Sequence, residues 1–327
     1  MATLLNLPNT AKKVVFILCL AAFALLSAPP PLALVTGIFI ALVVGHPFIH
    51  LNKKATTMLL QISVVCLGFG MNLEHAMKAG RDGFLFTVVT IAVTLIAGYF
   101  IGKKLNIDNN TSLLISNGTA ICGGSAIAAI APIVKANDNQ MSVALGTVFI
   151  LNSIALLIFP PIGHYLGMTA EQFGTWCAIA IHDTSSVVGA ATGYIDSQGH
   201  DALGIATTIK LERALWIIPI ALGTAYFQKS TGKVKIPYFI FWFIVAIIVS
   251  TYLPQYLPDI SKPLGGKTIF QHLYGLGRRG LVITLFLIGS GLSLKTIKQV
   301  GWRPILQGVL LWVIIGSISL AVIRGVL

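Results

Sequence analysis

Three groups of residues carry reactive or ion-binding side chains within otherwise apolar sequence. The first is "LISNGTAICGGSAIAAIAP", Leu114 to Pro132, the second is "CAIAIHDTSSVVGAATGY", and the third is "TTIKLERALW". Together they offer hydroxyls, amides, an imidazole, carboxylates and cations, which bind ions and exchange protons. Charged groups inside a membrane are costly and usually face a functional cavity, so the three groups predict a buried polar site.

The first group has poor helix chemistry in the middle of an apolar stretch. Gly118, Gly123 and Gly124 fall within it, and each interior glycine costs about 1 kcal/mol relative to alanine. A broken helix is tolerated at membrane depth only where it is buried in protein or lines a wet cavity. The alternative is that the small residues only pack against a neighbouring helix. The candidate substrate-binding residues here are Asn117, Thr119, Cys122, Gly123, Gly124 and Ser125.

The second group predicts another interruption, because Asp, Thr and Ser are residues that begin helices. His182 and Asp183 are candidate coupling groups, and Thr184, Ser185 and Ser186 are further candidate substrate-binding residues. The alternatives are that Asp183 only caps a half-helix and that His182 is a satisfied polar residue of the interior. Either alternative still requires a helix to begin there.

The third group places three charged residues inside an apolar span. Lys210 and Arg213 are three positions apart and share a helix face, whereas Glu212 points elsewhere. Two cations on one face predict a positive site whose charge is neutralised by a bound anion or by a carboxylate. Lys210 and Arg213 are therefore candidate substrate-binding residues, and Glu212 is a candidate coupling group. Lys210 could instead extend to the membrane surface. Arg213 could pair with Glu212 or Asp183.

The composition defines the elements that must position these groups. The chain has 327 residues, of which 56% are hydrophobic and 10% charged, and its mean hydropathy is +0.87. These values predict an all-α polytopic membrane protein that forms a single unit over residues 1–327. We predict about eleven transmembrane helices, the second of which is short enough to be interfacial. The predicted spans are 14–28, 32–46, 57–73, 83–104, 111–135, 139–164, 170–194, 199–228, 236–254, 279–294 and 304–325. Those at 111–135 and 170–194 are the interrupted ones.

The charges indicate the partners and the orientation. The net charge of +12 is spread over short loops, which suits anionic lipid headgroups of a bilayer better than nucleic acid. Lysines and arginines are more frequent in loops on the N-terminal side, including Lys12, Lys13, Lys53 and Lys54, which predicts a cytoplasmic N-terminus. An odd number of spans then places the C-terminus outside. The four cysteines have no C-x-x-C spacing, so no metal site or cofactor is expected.

An internal duplication indicates transport. Residues 60–84 and 281–305 align at a constant offset of 221, which matches Gly68 with Gly289 and Gly70 with Gly291. These segments fall on the third and tenth predicted spans, so they would cross the bilayer in opposite directions. Inverted repeats with interrupted helices are the architecture of many secondary transporters.

The motifs also resemble a known family. "NGTAICGGSAIAAIAPIV", "HDTSSVVGAATGY", "TTIKLERALW" and "GLSLKTIKQVGWRPILQGVLLW" together are similar to the YeiH-type family of bacterial inner-membrane proteins, often labelled sulfate exporters. The resemblance implies an inner-membrane location and a helical fold related to the sodium/proton antiporter and bile-acid symporter superfamily, with interrupted helices that cross. The chain lacks the paired Asp-Asp or Asn-Asp motif of that superfamily, which argues against simple sodium/proton exchange.

These observations predict a secondary transporter, with export as one direction, for a small anion such as sulfate or an organic anion. The anion would bind near the midplane where the two breaks meet, with alternating access and with protons or sodium as candidate coupling ions. A homodimer is a candidate assembly. One alternative is an ion channel, and another is an intramembrane hydrolase with Ser125 as nucleophile and His182 as base.

Overall fold

A computed structural model describes residues 8–26, 30–228, 238–257, 260, 263, 267–291 and 300–326. Within these residues the fold is helical, and an isolated β-bridge joins Ile195 and Asp201. The helices are α1 Asn9–Leu25, α2 Pro30–Val43, α3 Ile49–Gly68, α4 Leu73–Lys104, α5 Asn109–Ala120, α6 Gly124–Ile130, α7 Asp138–Tyr165, α8 Ala170–Ala180, α9 Thr184–Thr192, α10 Leu203–Leu215, α11 Ile217–Phe227, α12 Tyr238–Tyr256, α13 Ile269–Gly291 and α14 Trp302–Val326.

Five of the described helices are long and apolar enough to cross a membrane, as judged by length and composition. The prediction of a helical membrane protein is therefore confirmed, whereas the number of eleven spans stays a prediction. The span predicted from 279 begins earlier, at Ile269, so Arg278 and Arg279 lie inside α13 rather than at its entrance. The five stretches are Phe84–Lys104, Asn139–Tyr165, Tyr238–Tyr256, Ile269–Gly291 and Trp302–Gly325.

The chain divides into two compact units, Met1–Met77 with Tyr238–Leu294, and Lys78–Pro237 with Lys295–Leu327. In the first unit, α13 packs against α1, α2 and α3, and α12 packs against α3. Glycine permits the closest of these contacts, because a side chain on Gly289 would collide with the backbone of α2. This unit is thus built on α13.

The two segments of the predicted duplication begin in this first unit. They begin on α3 and α13 and end in α4 and α14, and α3 begins at Ile49, which the offset of 221 relates to position 270, one residue from the start of α13 at Ile269. Residues 292–299 of the second segment lie outside the described residues. The duplication and the inverted relation of the two segments stay predictions.

The second unit contains all three groups of polar residues singled out in the sequence. Helix α5 packs against α7 and α14, α8 packs against α10 and α14, and α9 packs against α7 and α10. An apolar core that includes Ile115, Ile127, Val148 and Leu311 joins α5, α6, α7 and α14. Burial of these side chains holds both halves of the first interrupted segment against α7.

Candidate functional site

The first interruption lies between α5 and α6. Helix α5 ends at Ala120, and helix resumes at Gly124 after Gly123, whose φ of 68° and ψ of −125° favour glycine. A Cβ atom on Gly123 would lie 3.1 Å from Cβ and 3.2 Å from Cα of Asp183. The backbone of the first break therefore lies directly against the second break.

The second interruption lies between α8 and α9. Asp183 is the N-cap of α9, and its carboxylate accepts hydrogen bonds from the backbone N–H of Ser185, at 3.1 Å, and from the Ser185 hydroxyl. The backbone N–H groups of His182 and Asp183 both donate to Oδ1 of Asn152 on α7, at 3.1 and 3.3 Å. A side chain of a neighbouring helix thus satisfies the amides that the break frees.

Lys210 on α10 binds the end of the helix before the second break. Its Nζ donates to the carbonyl oxygens of Ala178, at 3.2 Å, and Ile181, at 2.7 Å. A cation at a helix C-terminus satisfies free carbonyls and opposes the negative end of the helix dipole. The side chain is fully buried, so the alternative in which Lys210 extends to the membrane surface is wrong.

Arg213, one turn further along α10, binds the end of the helix before the first break. Its guanidinium donates to the carbonyl oxygen of Ala120 and, at 2.8 Å, to the hydroxyl of Thr90 on α4. It is fully buried, like Lys210. Among the described residues the only ion pair joins His200 and Asp196, so Arg213 has no ion pair with Glu212 or Asp183 there.

Several buried polar atoms near the two breaks have no hydrogen-bond partner within the described part of the protein. Native proteins contain few such atoms, and each calls for an explanation such as a ligand or bound water. The atoms are Asn117 Oδ1, Thr119 Oγ1, Asn152 Nδ2, Nδ1 and Nε2 of His182, and Nε of Arg213.

The remaining predicted site residues differ in their surroundings. Cys122 is buried beside the first break, whereas Ser125 is exposed at the start of α6. A Cβ atom on Gly124 would lie 3.2 Å from the Phe149 ring of α7, so Gly124 packs against a helix.

Glu212 is half-buried, and neither of its carboxylate oxygens has a hydrogen-bond partner among the described residues. Thr184, Ser185 and Ser186 are all buried in the first turn of α9.

The pairing needed by the hydrolase alternative is not formed. Both ring nitrogens of His182 lack a partner in the described part of the chain, so Ser125 does not donate to this imidazole. Within the described residues, no group of three or more His, Cys, Asp or Glu side chains could hold a metal ion.

Two residues of this arrangement were missed by sequence reasoning. Asn152 holds the second break and Thr90 binds Arg213, but each lies in a helix that shows no break. The signal for Asn152 was an amide within the apolar run "VFILNSIALL". Polar residues within membrane spans are costly and often functional, so this amide is the signal that marks the position.

The fold defines a helical membrane protein in which two interrupted helices meet at a buried, charged site. The family described as "Conserved hypothetical protein 698" matches residues 12–308. Proteins named "UPF0324 membrane protein" from Bacteroides thetaiotaomicron and Porphyromonas gingivalis are 55% and 51% identical to the chain, each covering 90% of it and 86% of the relative. A protein of Photobacterium profundum with the same family name is 49% identical over the same shares. No solved structure matches. The chain belongs to this family of membrane proteins.

Proposed function

We propose that this protein is a secondary transporter of a small anion, which binds where the two interrupted helices meet. The observation that carries the proposal is the contact between Gly123 and Asp183, which joins the two breaks. Interrupted helices at membrane depth are costly unless they line a site, and transporters commonly bind their substrates at such breaks. Alternating access would expose this site to the two sides of the membrane in turn.

The charges at the breaks support an anion as the substrate. Lys210 and Arg213 are both fully buried, and Asp183 is the one carboxylate at the breaks themselves. With Asp183 ionised and the coupling group Glu212 protonated, the two cations leave one positive charge, and an uncompensated charge in a low dielectric is expensive. A bound anion would neutralise it. Sulfate and small organic anions are the candidate substrates, and the resemblance to proteins labelled sulfate exporters supports the first of these.

The coupling groups remain His182, Asp183 and Glu212. The imidazole of His182 and the carboxylate of Glu212 have polar atoms with no hydrogen-bond partner among the described residues, which leaves them available for a proton. Protons and sodium ions are the candidate coupling ions. Collapsing the proton gradient with an ionophore and, separately, removing sodium would show which of them drives accumulation of the anion.

Counterflow in proteoliposomes tests the proposal. Liposomes loaded with unlabelled sulfate or a small organic anion should take up the labelled anion faster than unloaded liposomes, because a carrier returns more readily with substrate bound. The Gly123→Ala variant, reconstituted to the same density, should lose this uptake. A channel would conduct the anion without this acceleration. The absence of uptake for sulfate and for every small organic anion tested would overturn the proposed function.

A further inference from the structure

The orientation of the Asn152 side chain can be derived from its partners. One atom of its terminal amide faces two backbone N–H groups, those of His182 and Asp183, at 3.1 and 3.3 Å. Both partners are donors, so that atom must be the carbonyl oxygen, and the NH2 group must point the other way. In the flipped orientation the NH2 group would face the two backbone N–H groups, and donors would then oppose donors.

The NH2 group of Asn152 is a buried donor without an acceptor in the described part of the protein. The residue is only 3% exposed, and Nδ2 has no hydrogen-bond partner there. Leaving a buried donor unsatisfied is energetically costly. Asn152 lies beside the first residues of α9, where the helix N-terminus also favours negative charge. The imidazole of His182 is also fully buried and has no partner among the described residues, and the backbone N–H of this residue donates to Asn152.

The cations are less available to a ligand than this amide. Lys210 already donates to two carbonyl oxygens, and the terminal nitrogens of Arg213 donate to Thr90 and to the carbonyl of Ala120. They set the positive field of the site, while their hydrogen-bonding capacity is largely directed at the ends of α5 and α8. Nε of Arg213 is the guanidinium donor that has no partner among the described residues, so an anion at the breaks needs further donors beside it.

We propose that Asn152 is a substrate-binding residue, whose NH2 group donates to an oxygen of a small oxyanion while its carbonyl oxygen holds the second break. The inference rests on the proposed function and assigns a ligand group to it. Sulfate, sulfonates and carboxylates share the oxygen acceptors that this donor requires. The same side chain then links substrate binding to the geometry of the His182–Asp183 turn.

The test uses Asn152→Asp, which has nearly the same shape. Its carboxylate can still accept from both backbone N–H groups, but it has lost the NH2 donor and gained a negative charge. We expect the purified variant to fold and to bind sulfate, methanesulfonate or acetate at least about tenfold more weakly than wild type, as measured by equilibrium binding and by ligand-induced thermal shift. Acidification should restore part of the affinity, because a protonated carboxyl group regains a donor.

The matched control is Asn52→Asp in the first unit, another buried asparagine, whose NH2 donates to the carbonyl oxygen of Leu287 at 2.9 Å. It should lose stability and keep the wild-type affinity. Asn152→Ala removes the donor without adding a charge or another donor and serves as the second variant if Asn152→Asp does not fold. Wild-type affinity in either Asn152 variant overturns the assignment. Failure of the wild-type protein to bind any of the anions overturns the proposed function instead.

Discussion

Lys210 and Arg213 lie one turn apart on α10 and bind the ends of two different interrupted helices. Lys210 donates to the carbonyl of Ile181 at the end of α8, and Arg213 donates to the carbonyl of Ala120 at the end of α5. The last carbonyls of a helix have no partner within that helix, and each break creates such an end in the buried interior of the second unit. A single face of α10 thus stabilises both breaks.

Neutralising these cations should first affect stability. In Arg213→Gln and Lys210→Gln, loss of charge-assisted hydrogen bonds should cost about 1.5–3 kcal/mol of unfolding free energy and lower Tm. Arg213→Gln should also weaken anion binding by roughly 1–3 kcal/mol, because the site loses positive charge. Tm and anion affinity are measured on the same preparations, with Lys104→Gln at an exposed position as the control. Lost stability with unchanged affinity would exclude Arg213 from the anion site.

The two glycines of the first break should differ in their response to alanine. Gly123 has a positive φ and lies against Asp183, so Gly123→Ala strains the backbone by about 1–3 kcal/mol and pushes the breaks apart. Gly124 contacts Phe149 and Leu145, and Gly124→Ala should retain more uptake. The larger Gly124→Leu should abolish uptake in a protein that still inserts. Initial uptake rates at equal reconstituted density would compare the three variants with wild type, and wild-type activity in all three would show that the segment only packs.

The orientation prediction concerns the two ends of the chain. The excess of lysine in loops on the N-terminal side and the odd number of predicted spans place the N-terminus in the cytoplasm and the C-terminus outside. Fusions of a cytoplasm-active and an exterior-active reporter to each end would measure this. Both termini on one side would remove one span, with 32–46 the first candidate, and would undo the inverted relation of the predicted repeats.

Acid should weaken the loop between α9 and α10. Hydrogen bonds from the backbone N–H groups of Ala170 and His200 lower the pKa of Asp196, so its carboxylate stabilises the fold. That contribution is complete above the pKa of the unfolded state, about 3.9, and is lost as the pH falls through the lower folded value. The Tm of wild type should exceed that of Asp196→Asn at neutral pH, and this difference in Tm should disappear in acid. Glu171→Gln, at an exposed position in the first turn of α8, should show a smaller gap.

The sequence by itself determined the class of the protein and the neighbourhoods of the helix interruptions. Hydropathy is a local property, so apolar runs identify membrane helices without knowledge of their packing. Helix-ending and helix-starting residues act locally as well: Gly123 adopts a glycine-favoured backbone conformation, and Asp183 caps α9 through the N–H of Ser185 two positions on.

Only the tertiary structure decided what each break contacts. Asn152 meets His182 across 30 positions of sequence, and Arg213 meets Ala120 across 93. The sequence indicated that Lys210 and Arg213 share a face of one helix, but not that this face meets the carbonyl ends of α5 and α8. Such partners depend on which helices pack together and on how far each is shifted along its axis relative to its neighbour. Both features are determined by the apolar surface that the whole unit buries. A short motif contains the groups that must be satisfied, while the fold selects the distant residues that satisfy them.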